Sequence, residues 1–184
     1  MDKIEYVILV DGRDNEIGKE EKLAAHQKGL LHRAFSVFLY RNSPDGIQIL
    51  LQQRESHKYH CGGLWANTCC SHPRHGENIT DAGVRRLKEE MGIDLSSLLT
   101  DVGSFTYKAV FDNGLTEHEV DHVLVAPFDA DDISFNPEEV ESVRWITLEE
   151  LDRAFIENAG QFTPWFKPAL TLAREKFFNP LSSK

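Results

Sequence analysis

Apolar and polar positions alternate along this chain in short runs, interrupted by a few stretches with helical spacing. Residues 4–10 alternate apolar with other residues and predict a strand, which Asp11 and Gly12 turn. Residues 19–27 predict a short helix stopped by Gly29. Residues 34–40, rich in Phe and Val, and residues 47–53 predict two strands joined through a longer loop at 42–46. Residues 54–71 carry no clear period and hold Gly62 and Gly63, so they read as a long loop of the kind that carries functional groups. Residues 79–91 predict a helix, with Thr80, Val84, Leu87 and Met91 as its apolar stripe. Arg85 and Glu89, and Arg86 and Glu90, are neighbours on its surface. Residues 102–111 and 115–125 predict a hairpin around Asp112, Asn113 and Gly114. A short strand at 143–146 leads to Thr147, which forms a capping box with Glu150, and Pro164 opens a terminal helix running to about Phe178. Strands outnumber helices without strict alternation and no repeat or linker intervenes, which predicts one α+β domain with a mixed sheet flanked by helices.

Composition narrows the function classes. With 184 residues, 41% of them hydrophobic, the chain can bury a substantial core. A net charge of −10 argues against a nucleic-acid surface but allows a local basic pocket for a phosphorylated small molecule. No apolar run reaches the ~18 residues of a membrane span, and no secretory pattern opens the sequence. Cys61, Cys69 and Cys70 are odd in number and two are adjacent, which suits a reducing compartment, so the expected location is cytoplasmic.

Chemistry concentrates in the segment that begins Asn67-Thr68-Cys69-Cys70-Ser71-His72-Pro73. A cysteine near a histidine is either a reactive thiol, a ligand or a small buried hydrophobe. A structural zinc site drawn from Cys61, Cys69, Cys70, His72 and His75 is a second reading, although the usual paired Cys-x2-Cys spacing is missing. His26 and His32 lie in a polar segment, and each alone reads more readily as a surface residue than as a ligand. Glu117 and Glu119 project from one face of a strand, where they repel unless a cation lies between them; a solvated strand face is the alternative. Imidazoles and carboxylates together suit Mn²⁺, Mg²⁺ or Zn²⁺.

The helix at 79–91 supplies the family resemblance. Glu77, Arg85, Leu87, Glu89, Glu90, Gly92 and Ile93 match the spacing of the Nudix box, with Ser71 at its first Gly and Arg86 at a Glu position. That substitution removes a carboxylate and adds a guanidinium suited to a diphosphate. Together with Cys70-Ser71-His72-Pro73, Glu117-His118-Glu119 and Thr163-Pro164-Trp165, the chain resembles the type I isopentenyl-diphosphate isomerases, a Nudix-fold family, over nearly its whole length.

The resemblance implies a single Nudix-like isomerase domain over residues 1–184 that interconverts isopentenyl and dimethylallyl diphosphate. It implies His26, His32, His72, Glu117 and Glu119 as ligands of Mn²⁺ or Mg²⁺, with Zn²⁺ as a further option, and Glu90 as the ligand of a Mg²⁺ arriving with the diphosphate. Lys22, Arg54, Lys58 and Arg86 are the implied diphosphate grip. Cys70 and Glu119 are the implied proton-transfer pair, Tyr107 assists, and Trp165 faces the carbon skeleton. Cys69 is implied to be a bystander, and Gly62 departs from the family's usual Pro-Gly turn. The implied partner is a small diphosphate, not nucleic acid or membrane; the chain is expected to be a monomer, with a homodimer left open. Hydrolysis of a nucleoside diphosphate derivative and a structural zinc module are the competing functions.

One expectation is purely geometric. If Tyr107 assists Glu119, the two must share a sheet face. An odd loop of Asp112, Asn113 and Gly114, with Gly114 left-handed, pairs Tyr107 with Glu119, whereas a loop of two or four residues pairs Lys108 with it.

Overall fold

The computed structural model describes residues 4–58 and 60–179. One strand organises it. β3 (His32–Ser43) is apolar on both faces through its middle, with residues 34–39 buried. It must therefore lie inside a sheet covered on both sides. On one edge it pairs in parallel with β8 (Thr116–Pro127). On the other it pairs antiparallel with β6 (Cys69–Ser71) and then with β4 (Gly46–Arg54). β7 (Thr100–Val110) lies outside β8, and β9 (Val140–Thr147) and the short β5 (Trp65–Ala66) pair with β4. β1 (Tyr6–Val10) and β2 (Glu16–Glu21) form a hairpin at the start of β3. These make one mixed sheet of nine strands among the described residues.

Helices cover both faces. Phe35, Val37, Leu39 and Leu50 pack under α2 (Ile79–Met91) against Leu87 and Met91. Phe38, Ile49, Leu51, Val123 and Val125 pack on the opposite face against Leu151 of α3 (Leu148–Asn158) and Phe166 of α4 (Phe166–Ala173). α1 (Lys22–Lys28) sits beside the start of β8. Asn78 caps the N-terminus of α2, and Gly92 closes its C-terminus in the left-handed region. Mid-helix Gly83 lets α2 approach closely, since a Cβ there would fall 2.7 Å from Leu99.

Several expectations need correction. Residues 19–21 belong to β2, and the helix begins only at Lys22, because the Glu21 side chain caps it by accepting from the Leu23 and Ala24 amides. The turn between β3 and β4 is tight, with Ser43 paired to Gly46. The expected long loop ends in the short strands β5 and β6. The buried face of α2 runs through Ala82, Gly83, Leu87, Glu90 and Met91, leaving Val84 38% exposed. The terminal α-helix ends at Ala173 and continues as a π turn to Phe178.

The hairpin test has a clear outcome. Phe111 N–H donates to Leu115 O across a three-residue loop, and Gly114 has φ +82°. Tyr107 is therefore directly opposite Glu119.

Candidate active site and metal cluster

The face of β3 and β8 that carries Phe38, Val123 and Val125 becomes polar toward the beginnings of both strands. His32, Ala34 and Ser36 of β3 stand in register with Glu119, Asp121 and Val123 of β8. On the other edge of β3, Cys70 is opposite Ser36, and Cys69 is opposite Val37. Adjacent residues of a strand face opposite ways. Cys69 thus joins the apolar cluster under α2, while Cys70 enters the polar end of the other face.

Four side chains converge there. Potential ligand atoms of His26, His32, His72 and Glu119 all lie within 4.8 Å of one another. His26 Nδ1 lies 2.6 Å from the Lys22 carbonyl, and His32 Nδ1 lies 2.8 Å from that of Leu30. A carbonyl can only accept, so each Nδ1 carries the proton and donates it, leaving Nε2 as the ligating nitrogen of the neutral ring. His72 Nε2 lies 2.9 Å and His32 Nε2 3.3 Å from Glu119 Oε1. Burial drives His72 down to about 3 despite the Glu119 carboxylate beside it, so its ring is neutral at pH 7. Burial also lowers His26; for His32, burial is outweighed by the bond to Glu119, and its pKa is raised. Burial pushes Glu119 up, yet His32 and His72 hold it well below the usual carboxylate range. Three imidazoles around an ionised, buried carboxylate form a donor set that fits a divalent cation.

Glu117 sits beside this cluster and outside it. Its Oε2 accepts from the Tyr107 hydroxyl at 2.5 Å, and its Oε1 contacts His60. The same hydroxyl lies 2.6 Å from Glu119 Oε2. Burial, and then the charges of Glu119 and Glu117, raise Tyr107 well above its ordinary value, so it keeps its proton. Glu119 consequently turns one oxygen to the histidines and the other to a phenol.

Cys70 is a thiol in a nearly closed environment. Its S–H donates to Asn67 Oδ1 at 3.0 Å, and the Trp165 indole N–H donates to its sulfur at 3.0 Å. Burial, and next the Asp121 carboxyl, raise its pKa above the ordinary thiol value. The structure therefore favours a proton-bearing Cys70 over the thiolate that a neighbouring cation would produce. Asp121 is itself raised well above the carboxylate range by burial and by Glu119, and it accepts from Ser36 Oγ at 2.8 Å.

Two adjoining cavities complete the site. The inner one, about 40 Å³, is bounded by Cys70, Tyr107, Glu117, Glu119, Asp121 and Trp165. The outer one, about 440 Å³, takes in Lys22, Arg54, Lys58 and Arg86 together with Glu90. Arg54, His60, Cys70, Ser71 and His72 line both. Arg54 is buried, its guanidinium lies 5.3 Å from the centre of the Trp165 ring, and its Nε has no hydrogen-bond partner among the described residues. Arg86 bonds Glu89 at 2.7 Å and contacts Glu90, whose other oxygen accepts from Gln52 at 3.2 Å. Lys22 pairs with Glu5 at 2.8 Å. Glu77 is tied up by Arg85 at 2.7 Å and the Arg74 amide at 2.8 Å, so this part of the helix motif acts as a structural lock.

Of the residues read from the sequence, His26, His32, His72 and Glu119 form the cluster, Cys70, Tyr107, Trp165 and Glu117 surround the inner cavity, and Lys22, Arg54, Lys58, Arg86 and Glu90 line the outer one. Sequence reasoning missed His60, Asn67, Asp121 and Glu139. Asp121 had a signal, since it continues the two-residue step of Glu117 and Glu119; the others had none.

A sheet held between α2 and the α3–α4 layer, with a His/Glu cluster at its end, defines a Nudix-type protein, and residues 30–166 match the family model described as NUDIX domain. The DR0079 protein of Deinococcus radiodurans has the same fold, with a TM-score of 0.67 at 22% identity over 94% of this chain and 99% of that one. Isopentenyl-diphosphate Delta-isomerase of Photobacterium profundum is 49% identical over 180 residues, 98% of each chain. Isopentenyl-diphosphate Delta-isomerase 2 of Photorhabdus laumondii is 48% identical over 164 residues, 89% of each. The chain belongs to the isopentenyl-diphosphate Delta-isomerase family.

Proposed function

We propose that this protein interconverts isopentenyl and dimethylallyl diphosphate, with Cys70 and Glu119 exchanging the two protons. One observation carries this reading: a cavity lined by Lys22, Arg54, Lys58 and Arg86 adjoins, across the shared Arg54 and Cys70, a small cavity lined by Cys70 and Glu119. A buried guanidinium with an unmet N–H is costly unless an anion completes it, and a diphosphate seated at Arg54 places a five-carbon tail in the inner cavity.

Isomerisation adds a proton to the terminal methylene carbon and removes one from the CH₂ on the other side of the methyl-bearing carbon, so the double bond shifts by one position. The charge developing between these carbons is tertiary carbocation character, which water would trap. The buried Trp165 and the half-buried Tyr107 line the inner cavity, where their rings would shield the tail from water, and the indole face stabilises positive charge. Cys70 and Glu119 come from strands on opposite edges of β3, so one donates while the other accepts. The raised thiol pKa keeps a proton on Cys70, and the Tyr107 bond orients Glu119 through the oxygen turned away from the histidines.

When bound at His26, His32, His72 and Glu119, a divalent cation supplies the positive charge that keeps Glu119 ionised. The ion we assign to these three imidazoles and one carboxylate is Mn²⁺ or Mg²⁺, with Zn²⁺ as a further option that the imidazoles also suit. Glu90 is the residue we assign to a Mg²⁺ carried by the diphosphate. No helix among the described residues is long and apolar enough to cross a membrane. We place the protein in the cytoplasm, consistent with three free thiols, and as a monomer, since one chain supplies every group named above.

The test is incubation with isopentenyl diphosphate, Mn²⁺ and Mg²⁺ in heavy water, followed by NMR. Deuterated dimethylallyl diphosphate is expected. Phosphate release without double-bond movement would instead identify a hydrolase, and no reaction would overturn the proposal.

A further inference from the structure

The four cations around the outer cavity come from separate parts of the chain. Arg86 is on α2, Arg54 ends β4, and Lys58 belongs to the loop that follows. Something must bring these segments to one anion. Glu139, in the turn before β9, touches both halves. One carboxylate oxygen contacts Lys58 Nζ, and the other lies 3.5 Å from Arg86 Nη2.

The backbone of the same turn ties the same two segments. Asn136 N–H donates to Glu90 O at 2.8 Å, fixing the turn to the end of α2. Glu55 N–H donates to Glu139 O at 3.1 Å, fixing it to the segment that carries Arg54 and Lys58. Val140, the next residue, is in register with Arg54. Glu139 is half-buried and lines the outer cavity.

Resting on the diphosphate-grip reading above, we propose that Glu139 is a positioning residue: its carboxylate holds the Lys58 ammonium and Arg86 guanidinium at the spacing a diphosphate requires. An ammonium on a four-carbon stem loses much rotamer freedom when a ligand captures it. Holding it beforehand moves that cost from binding to folding. Both cations keep donors for a ligand, because an ammonium has three N–H bonds and the two Nη nitrogens of Arg86 carry four, which Glu89, Glu90 and Glu139 do not exhaust. The three backbone anchors do not depend on the carboxylate, so Glu139→Gln preserves the turn.

The test is titration calorimetry of inorganic pyrophosphate against wild type, E139Q, K58M and E139Q/K58M, each with and without Mg²⁺. Loss of one charge-assisted contact to each cation predicts that E139Q weakens pyrophosphate about tenfold in both conditions, with the loss in turnover falling mainly on KM. E139D restores part of it, and E139Q costs less in the K58M background, where only its contact to Arg86 is left to lose. Unchanged or tighter binding by E139Q, while K58M binds weakly, would refute the positioning role and leave the grip intact. A loss seen only with Mg²⁺ would make Glu139 a metal ligand and also refute it. If K58M binds pyrophosphate as wild type does, the grip reading itself fails and takes the proposal with it.

Discussion

Removing the Tyr107 hydroxyl is the sharpest single perturbation of the site. The phenol oxygen lies 2.5 Å from Glu117 and 2.6 Å from Glu119, and the side chain is packed beside Phe105 and Trp165. Tyr107→Phe keeps the ring and its packing but leaves two buried carboxylates without their shared donor. A hydrogen bond to a charged group contributes about 1.5–3 kcal/mol. If the bond to Glu119 persists through proton transfer, its loss slows turnover roughly 10- to 150-fold. The assay is kcat for isopentenyl diphosphate at saturating metal, with pyrophosphate affinity as the control for the outer cavity. Pyrophosphate binding should hold, because Tyr107 does not line that cavity. A Y107F enzyme within a factor of about three of wild type would refute the idea that the phenol orients Glu119.

Other outcomes follow from the same geometry. Cys69→Ala should retain turnover and lose about 1–2 kcal/mol of stability, measured by urea unfolding, because Cys69 is fully buried under α2. Chelation should abolish turnover while circular dichroism stays native, and Mn²⁺ should raise the melting temperature with concentration; unfolding on chelation would favour a structural metal instead. His122 is lowered by burial but more strongly raised by Asp101 at 2.8 Å and Asp14 at 2.7 Å. A raised folded pKa contributes stability that is fully present below the unfolded value of about 6.5 and is lost as pH rises through the folded pKa. The stability advantage of wild type over His122→Gln should therefore shrink with rising pH above that point; an advantage that grows would contradict the assignment.

Where the sequence carried a backbone signal, it was readable. Thr147 opens α3 with its capping box and Gly29 ends α1, because a cap needs a side-chain acceptor at one end and a left-handed residue at the other. The three-residue loop at Asp112–Gly114 set the Tyr107–Glu119 register for the same reason. The buried face of α2 was misread because Ala82 and Gly83 contribute little to an apolar stripe, although their small size is what lets the helix meet Val37, Leu99 and Leu124. β2 was missed because Glu16–Glu21 is exposed or half-buried along its length and so shows no alternating apolar face. His60 and Glu139 act through contacts with distant residues, which leave no local pattern. The resemblance already separated Cys70 from Cys69, but the physical reason, that adjacent residues of β6 face opposite ways, needed the strand itself.

The account stands on Cys70 and Glu119 as partners in proton transfer. Its most direct test is single-turnover NMR of Cys70→Ala in heavy water, at an enzyme concentration that saturates substrate binding. The account predicts wild-type pyrophosphate affinity, with no deuterium entering either diphosphate. Deuterated dimethylallyl diphosphate forming at the wild-type rate would contradict it.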